Sequence, residues 1–225
     1  ERGASIIIAA DPPSSGKTTT LSALMAFTPP ATAAYFTRGE GEAFSLPHLS
    51  DSYYTYVLIN ELSDHIPVYT WDDNARRAFE LLSQGYRLGS TMHADTVEGV
   101  LGQLQDDLMI PESHVAKVTF IVPLYVGQLR PAIRRVNEVA FLQPNGDGMK
   151  IANLATWDRD QDRFKVLEQP EQRESFAAWA GLSESDLEKE LGRREGFLKG
   201  LIKTGTTSIP QVAPAIEAYY EKTSR

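Results

Sequence analysis

The sequence has no cysteine, no long apolar run and no cluster of basic residues, and each absence removes a class of function. Without cysteine there is no zinc ribbon, no thiol nucleophile and no disulfide scaffold. That composition fits a reducing compartment. No stretch reaches the roughly 18 apolar residues that a membrane-spanning helix needs. Lys and Arg total 22 against 30 Asp and Glu, giving a formal net charge of −8 and a pI near 5.1. The densest basic group is Arg130, Arg134 and Arg135. An acidic surface repels phosphate backbones, so no nucleic-acid partner is expected. No internal repeat, low-complexity tract or signal peptide is visible. The chain opens Glu1-Arg2-Gly3 rather than on methionine, which leads to the expectation that an upstream domain precedes it.

What remains is ordinary for a globular protein. The 225 residues are 42% hydrophobic and 23% charged, enough for one large domain with a buried core and a small appendage. Ser5 to Ala10 is a β-branched apolar run that predicts a buried strand. Helical spacing follows over Lys17 to Phe27 and stops at Pro29-Pro30. Strands are predicted at Ala33 to Thr37, at Tyr54 to Ile59 (ending on Asn60-Glu61), and at Arg87 to Thr91. Helices are predicted over Asp72 to Gln84, with Asp72 as N-cap and Gly85 at the stop, and over Val97 to Leu108. Val118 to Val126 and Arg134 to Leu142 read as strands. Asn145-Gly146-Asp147-Gly148 reads as a tight turn into a strand over Ile151 to Trp157. The alternation predicts an α/β fold with a mostly parallel sheet and hairpins added late. A core over 1–167 is expected to precede a helical subdomain over 168–225. There Ser185 to Glu188 has capping-box spacing, and a last helix starts at Ser208.

Three segments carry chemistry. The first is Asp11-Pro12-Pro13-Ser14-Ser15-Gly16-Lys17-Thr18, placed between a buried strand and a helix start. A loop there can turn its backbone N–H groups around an anion, and the helix N-terminus adds partial positive charge. Pro12, Pro13, Ser14, Ser15, Gly16, Lys17, Thr18 and Thr19 are the candidate nucleotide-binding residues. Lys17 reaches the β- and γ-phosphates, and the Thr18 hydroxyl holds Mg²⁺. The bland alternative is an ordinary helix cap.

The second segment is Val57-Leu58-Ile59-Asn60-Glu61, an apolar strand ending in an acid. Opposite a γ-phosphate such a carboxylate orients Mg²⁺ or takes a proton from the attacking water. Elsewhere a terminal Glu only serves solubility. The third is Ser90-Thr91-Met92-His93-Ala94-Asp95-Thr96, which sets His93 just past a strand end among hydroxyl side chains. There the imidazole either senses a phosphate or is a satisfied structural histidine.

In this order the segments resemble the secretion ATPase superfamily, which includes the ATPases of type II and type IV secretion, type IV pili and archaeal flagella. The family's phosphate loop reads close to Gly-Pro-Thr-Gly-Ser-Gly-Lys-Thr followed by Thr-Thr-Leu. Pro12, Ser15, Gly16, Lys17, Thr18, Thr19, Thr20 and Leu21 match it, while Asp11 and Ser14 stand where the family has glycine. Asn60-Glu61 occupies the family's Gly-Glu position, Ser90 to Ala94 matches its Ser-Thr-x-His-Ala box, and Arg134-Arg135-Val136 with Glu138 resembles a later strand. The acidic box falls loosely on Arg38 to Glu42, and His65 to Trp71 looks like an insertion. The Arg that often follows Gly-Glu is replaced by Leu62-Ser63.

The resemblance implies a RecA-like P-loop core that binds ATP and Mg²⁺, with Glu61 and His93 as catalytic residues. In this reading Glu61 activates water and His93 couples nucleotide state to neighbouring subunits. It also implies a homohexameric ring at the cytoplasmic face of a membrane, working with inner-membrane platform components of a secretion or pilus system. An N-terminal domain closes the site in that family. Two other readings stay open: a nucleotide-binding ring subunit that does not hydrolyse ATP, and a DNA-acting motor.

Overall fold

The structure is a computed structural model that describes residues 3–30, 32–46, 55–127, 132–146 and 148–223. Tyr54, Arg130 and Asp147, which figure in the expectations above, lie outside the described residues. The chain divides into two compact units, one comprising Gly3–Ser22 with Thr32–Val166, the other Ala23–Ala31 with Leu167–Arg225.

In the larger unit the strands are β1 (Ile6–Ala9), β2 (Ala33–Phe36), β3 (Thr55–Leu62), β4 (Arg87–Met92), β5 (Phe120–Val126), β6 (Arg134–Val136), β7 (Glu138–Asn145), β8 (Gly148–Asp158) and β9 (Arg163–Val166). Its helical segments are α1 (Lys17–Met25), which continues into the second unit, α2 (Asp72–Ser83), α3 (Val97–Gly102), a π-helical turn over Gln103–Asp107, and α4 (Glu112–Val115).

Among the described residues nine strands form one sheet in the order β2-β3-β4-β1-β5-β7-β8-β9, with β6 also pairing to β5. This corrects the expected mostly parallel, RecA-like sheet. Pairings among β2, β3, β4, β1 and β5 are parallel, whereas β5 with β6, β5 with β7, β7 with β8 and β8 with β9 are antiparallel. The fold is α/β with a mixed sheet. Connection length explains the change. Before β5, successive strands are joined by long segments that can cross over and return in parallel. After β5 the connectors are too short for a crossover, so β6 and β7, separated only by Asn137, both run back along β5, and β8 and β9 each fold back on the strand before. Helix-strand alternation in the first half outweighed these short spacings in the sequence reading.

β1 lies between β4 and β5, and its Ile7, Ile8 and Ala9 are fully buried, as a three-Ile run in a central strand requires. One core joins Ile7, Ile59, Leu88 and Met92 of the sheet to Phe79 and Leu82 of α2 and to Val100, Leu104 and Leu108 beside α3. The span read as one strand over Arg134 to Leu142 is two: Asn137 lies between β6 and β7, and its N–H bonds the Pro123 carbonyl. Asp72 is not the N-cap of α2. Trp71 holds that position, and Asp72 takes a φ of +48° as the first helical residue. Where a tight turn was expected, Gly146 takes a φ of +62° and Asn145 pairs with Gly148.

The smaller unit holds α5 (Pro170–Ala180), α6 (Glu184–Lys203) and α7 (Ile209–Thr223). Gln169 and Gln172 form a reciprocal capping box with Pro170 just inside, and Gly181 closes α5 in the left-handed region. The cap of α6 is Ser183, whose hydroxyl accepts from the Asp186 N–H, two residues ahead of the expected Ser185 box. Phe197 and Tyr219 pack with ring centroids 4.7 Å apart, and the Tyr220 hydroxyl donates to the Phe27 carbonyl. Among the described residues no helix is long and apolar enough to cross a membrane.

Candidate functional site

Parallel strands deliver their carboxyl ends to one edge of the sheet, where ligands bind in open α/β folds. The loop after β1, Asn60-Glu61 near the end of β3, and His93 just past β4 therefore meet there.

The loop over Asp11 to Gly16 is held by its backbone. The Asp11 N–H donates to Asp95 Oδ1 at 3.0 Å, and the Asp11 carbonyl faces His93 Nδ1 at 3.1 Å. A carbonyl only accepts, so Nδ1 carries the hydrogen of this bond. Ser14 and Gly16 both take positive φ, +57° and +100°. At Gly16 a Cβ would meet nothing within 4 Å, so conformation rather than space demands glycine there. Ser14 adopts the left-handed turn without being glycine, keeping the backbone shape at a cost of roughly 1–3 kcal/mol. Ser15 is buried, and Thr18 and Thr19 are exposed on the first turn of α1. Pro12 is half-buried, and the side chains of Asp11 and Pro13 face solvent.

Lys17 is buried beneath the loop. Its Nζ donates to the Ala10 carbonyl at 2.8 Å and lies 3.7 Å from Glu61 Oε1. Both side chains are about nine-tenths buried, so neither charge tolerates separation from a partner. Glu61 is aimed by an irregularity in pairing. Ile59 sits opposite Ser90 and Leu62 opposite Met92, so β3 fits three steps against two of β4. This bulge turns Glu61 inward while Asn60 faces solvent. Backbone bonds on the far side pin it: Thr70 N–H to the Glu61 carbonyl, and Ser63 N–H to the Thr70 carbonyl.

Glu61 Oε2 accepts from Thr91 Oγ1 at 2.8 Å. Glu61 Oε1 accepts no hydrogen bond from any described residue and has His93 Nε2 at 3.9 Å besides Lys17. The His93 carbonyl in turn accepts from Gln103 Nε2 at 2.6 Å. Gln103 opens the π-helical turn, a local irregularity of the kind that gathers at functional sites.

The structure thus brings Lys17, Glu61 and His93 together with the loop. Sequence reasoning missed four residues. Thr91 and Asp95 lie within the quoted His93 segment, but no role was assigned to either. His65, read as part of an insertion, hydrogen-bonds Ser63 Oγ and sets its ring edge-on to His93, with centroids 5.4 Å apart. Arg134 Nε donates to the Ser14 carbonyl at 3.2 Å across 120 positions of sequence. The acidic box resolves into a local brace. The Glu42 carboxylate accepts from Tyr35 Oη and from the N–H groups of Arg38 and Phe44. Burial pushes this carboxyl up, and those bonds outweigh it and hold it below the ordinary carboxylate range.

No protein-family profile matches the chain. Two curated relatives, both from Methanocaldococcus jannaschii, are similar to it. Uncharacterized protein MJ1287 is 25% identical over 137 residues, covering 59% of this chain and 51% of that protein. Uncharacterized protein MJ0900 is 26% identical over an alignment of 261 positions, gaps included, covering 99% of this chain and 45% of that protein. The chain spans about half the length of the curated relatives it matches.

Proposed function

We propose that the chain binds ATP at Asp11 to Thr18 and hydrolyses it, as the motor part of a secretion or pilus-like assembly machine. The observation that carries the chemistry is the buried cluster of Lys17, Glu61 and Thr91 at the mouth of the β1 loop. The cellular role rests on the sequence resemblance alone, as do the hexameric ring and the membrane platform.

Each group has work to do in phosphoryl transfer. Backbone N–H groups of Ser14 to Lys17 cradle the phosphates at the start of α1. Lys17 exchanges the Ala10 carbonyl for the β- and γ-phosphates. Thr91 holds one oxygen of Glu61, leaving Oε1 to take the proton of the attacking water as its oxygen bonds to the γ-phosphorus and the bond to ADP breaks. His93, bonded through Nδ1 to the loop, links the position of the loop to Glu61.

Mg²⁺ fits these residues. Thr18 would hold the ion through its exposed hydroxyl on the first turn of α1, which leaves Glu61 Oε1 to the water. Among the described residues no group of three or more His, Asp or Glu side chains could hold a metal. Mg²⁺ binds through one or two protein groups and substrate phosphates. When bound, it neutralises charge on the phosphate tail.

Glu61→Gln tests the reading. The amide keeps shape but takes no proton, so MgATP affinity should stay within a few-fold while phosphate release falls by about 10²-fold or more. Release that persists within a few-fold removes Glu61 from the chemistry. Nucleotide binding without any release by the unaltered chain supports a non-hydrolysing ring subunit instead.

A further inference from the structure

We propose that Arg134 is a phosphate-contacting residue of the nucleotide site, acting from the same chain as the loop; the inference rests on the nucleotide-binding reading. β1 and β5 run in parallel with Ala9 opposite Pro123, so β5 continues beyond the point where the loop leaves β1. β6 folds back on that overhang, pairing Arg134 with Val126 and Arg135 with Tyr125. Successive residues of a strand face opposite sides, and the two arginines part accordingly. Arg135 is committed to Asp162, with its Nε and Nη2 on the two carboxylate oxygens at 2.8 and 2.7 Å. Arg134 reaches the phosphate loop through its Nε.

The charge around the loop gives Arg134 its purpose. A cradle for a polyanion is bordered by Asp11, Asp95 and Glu61, three acidic groups, and the nearby Lys17 already faces Glu61. A second cation offsets this acidic surround. Ser14 takes the left-handed conformation, and Arg134 ties its carbonyl down. The guanidinium is fixed at the rim by one bond while its fork of further N–H donors suits phosphate oxygens. Its side chain is exposed, so a ligand can reach it.

The experiment is calorimetric titration of the unaltered chain, Arg134→Ala, Arg134→Lys and Lys17→Ala with MgATP, MgADP and AMP. Thermal melts establish that each variant is folded. Arg134→Ala should weaken MgATP by roughly ten- to hundredfold, the size expected for a lost charged hydrogen bond. AMP should weaken far less, and Arg134→Lys should recover part of the loss. The affinity for MgATP should also fall less steeply with salt in Arg134→Ala. An Arg134 that only braces the loop weakens all three nucleotides equally, which overturns the proposal. So does MgATP affinity within twofold of the unaltered chain, when Lys17→Ala still abolishes binding. If the unaltered chain binds no nucleotide, the site reading itself fails, and this inference fails with it.

Discussion

Thr91 Oγ1 and Glu61 Oε2 lie 2.8 Å apart, joining neighbouring strands where their register breaks. The same hydroxyl also lies beside the Asn60 carbonyl, so its single hydrogen is shared between the backbone and the carboxylate of the bulge. Glu61 is nearly buried, and a carboxylate in that position points where its hydrogen bonds direct it.

Thr91→Val keeps the shape and removes the donor. Leaving Glu61 Oε2 buried and unsatisfied should cost about 1–3 kcal/mol of stability. ATP turnover should fall by about tenfold or more, because Glu61 loses its aim, while MgATP binding changes little. Thermal melts and phosphate release measure the two effects. Unchanged turnover would mean that Glu61 needs no positioning by Thr91.

Ser14→Gly should stabilise the protein. At φ +57° a serine is in the left-handed region, where glycine adopts the conformation without a Cβ penalty. The gain should be about 1 kcal/mol, reduced in part by the greater freedom of glycine in the unfolded chain. Urea melts read it directly. A loss of stability would show that the Ser14 side chain makes contacts worth more than the strain.

Acid should loosen the hairpin that joins β8 to β9. Hydrogen bonds from Arg135 first, and Trp157 second, hold the Asp162 carboxyl down at about 2. A depressed carboxyl contributes stability above its unfolded value, near 3.8, and loses it as pH falls toward 2. Trp157 fluorescence should therefore change between about pH 4 and pH 2, and Asp162→Asn should weaken that response. An unchanged acid profile in Asp162→Asn would contradict the assignment.

The site was legible in sequence wherever chemistry and local structure share one segment. The Ile-rich run, the Gly16-Lys17-Thr18 step and the apolar strand ending in Glu61 each announce themselves within a few residues. The inward turn of Glu61 was not legible, because it depends on how β3 registers against β4, and pairing is a property of two segments. Arg134 escaped for the same reason, being 120 positions from Ser14. Asp72 misled because its residue type favours a cap while the backbone places Trp71 there. The sheet misled because helices between early strands suggested mostly parallel pairing with a few late hairpins, although short connectors dictate antiparallel pairing from β5 onward.

Central to the proposed function is that Asp11 to Thr18 forms a phosphate cradle and not a helix cap. Titration of the unaltered chain and of Lys17→Ala with MgATP tests this most directly. Lys17 is buried, bonded to the Ala10 carbonyl and paired with Glu61, so melts must accompany the titration to separate lost binding from lost folding. The unaltered chain should show saturable one-to-one binding and a folded Lys17→Ala variant none measurable. Equal affinity in both, or no binding in either, would contradict it.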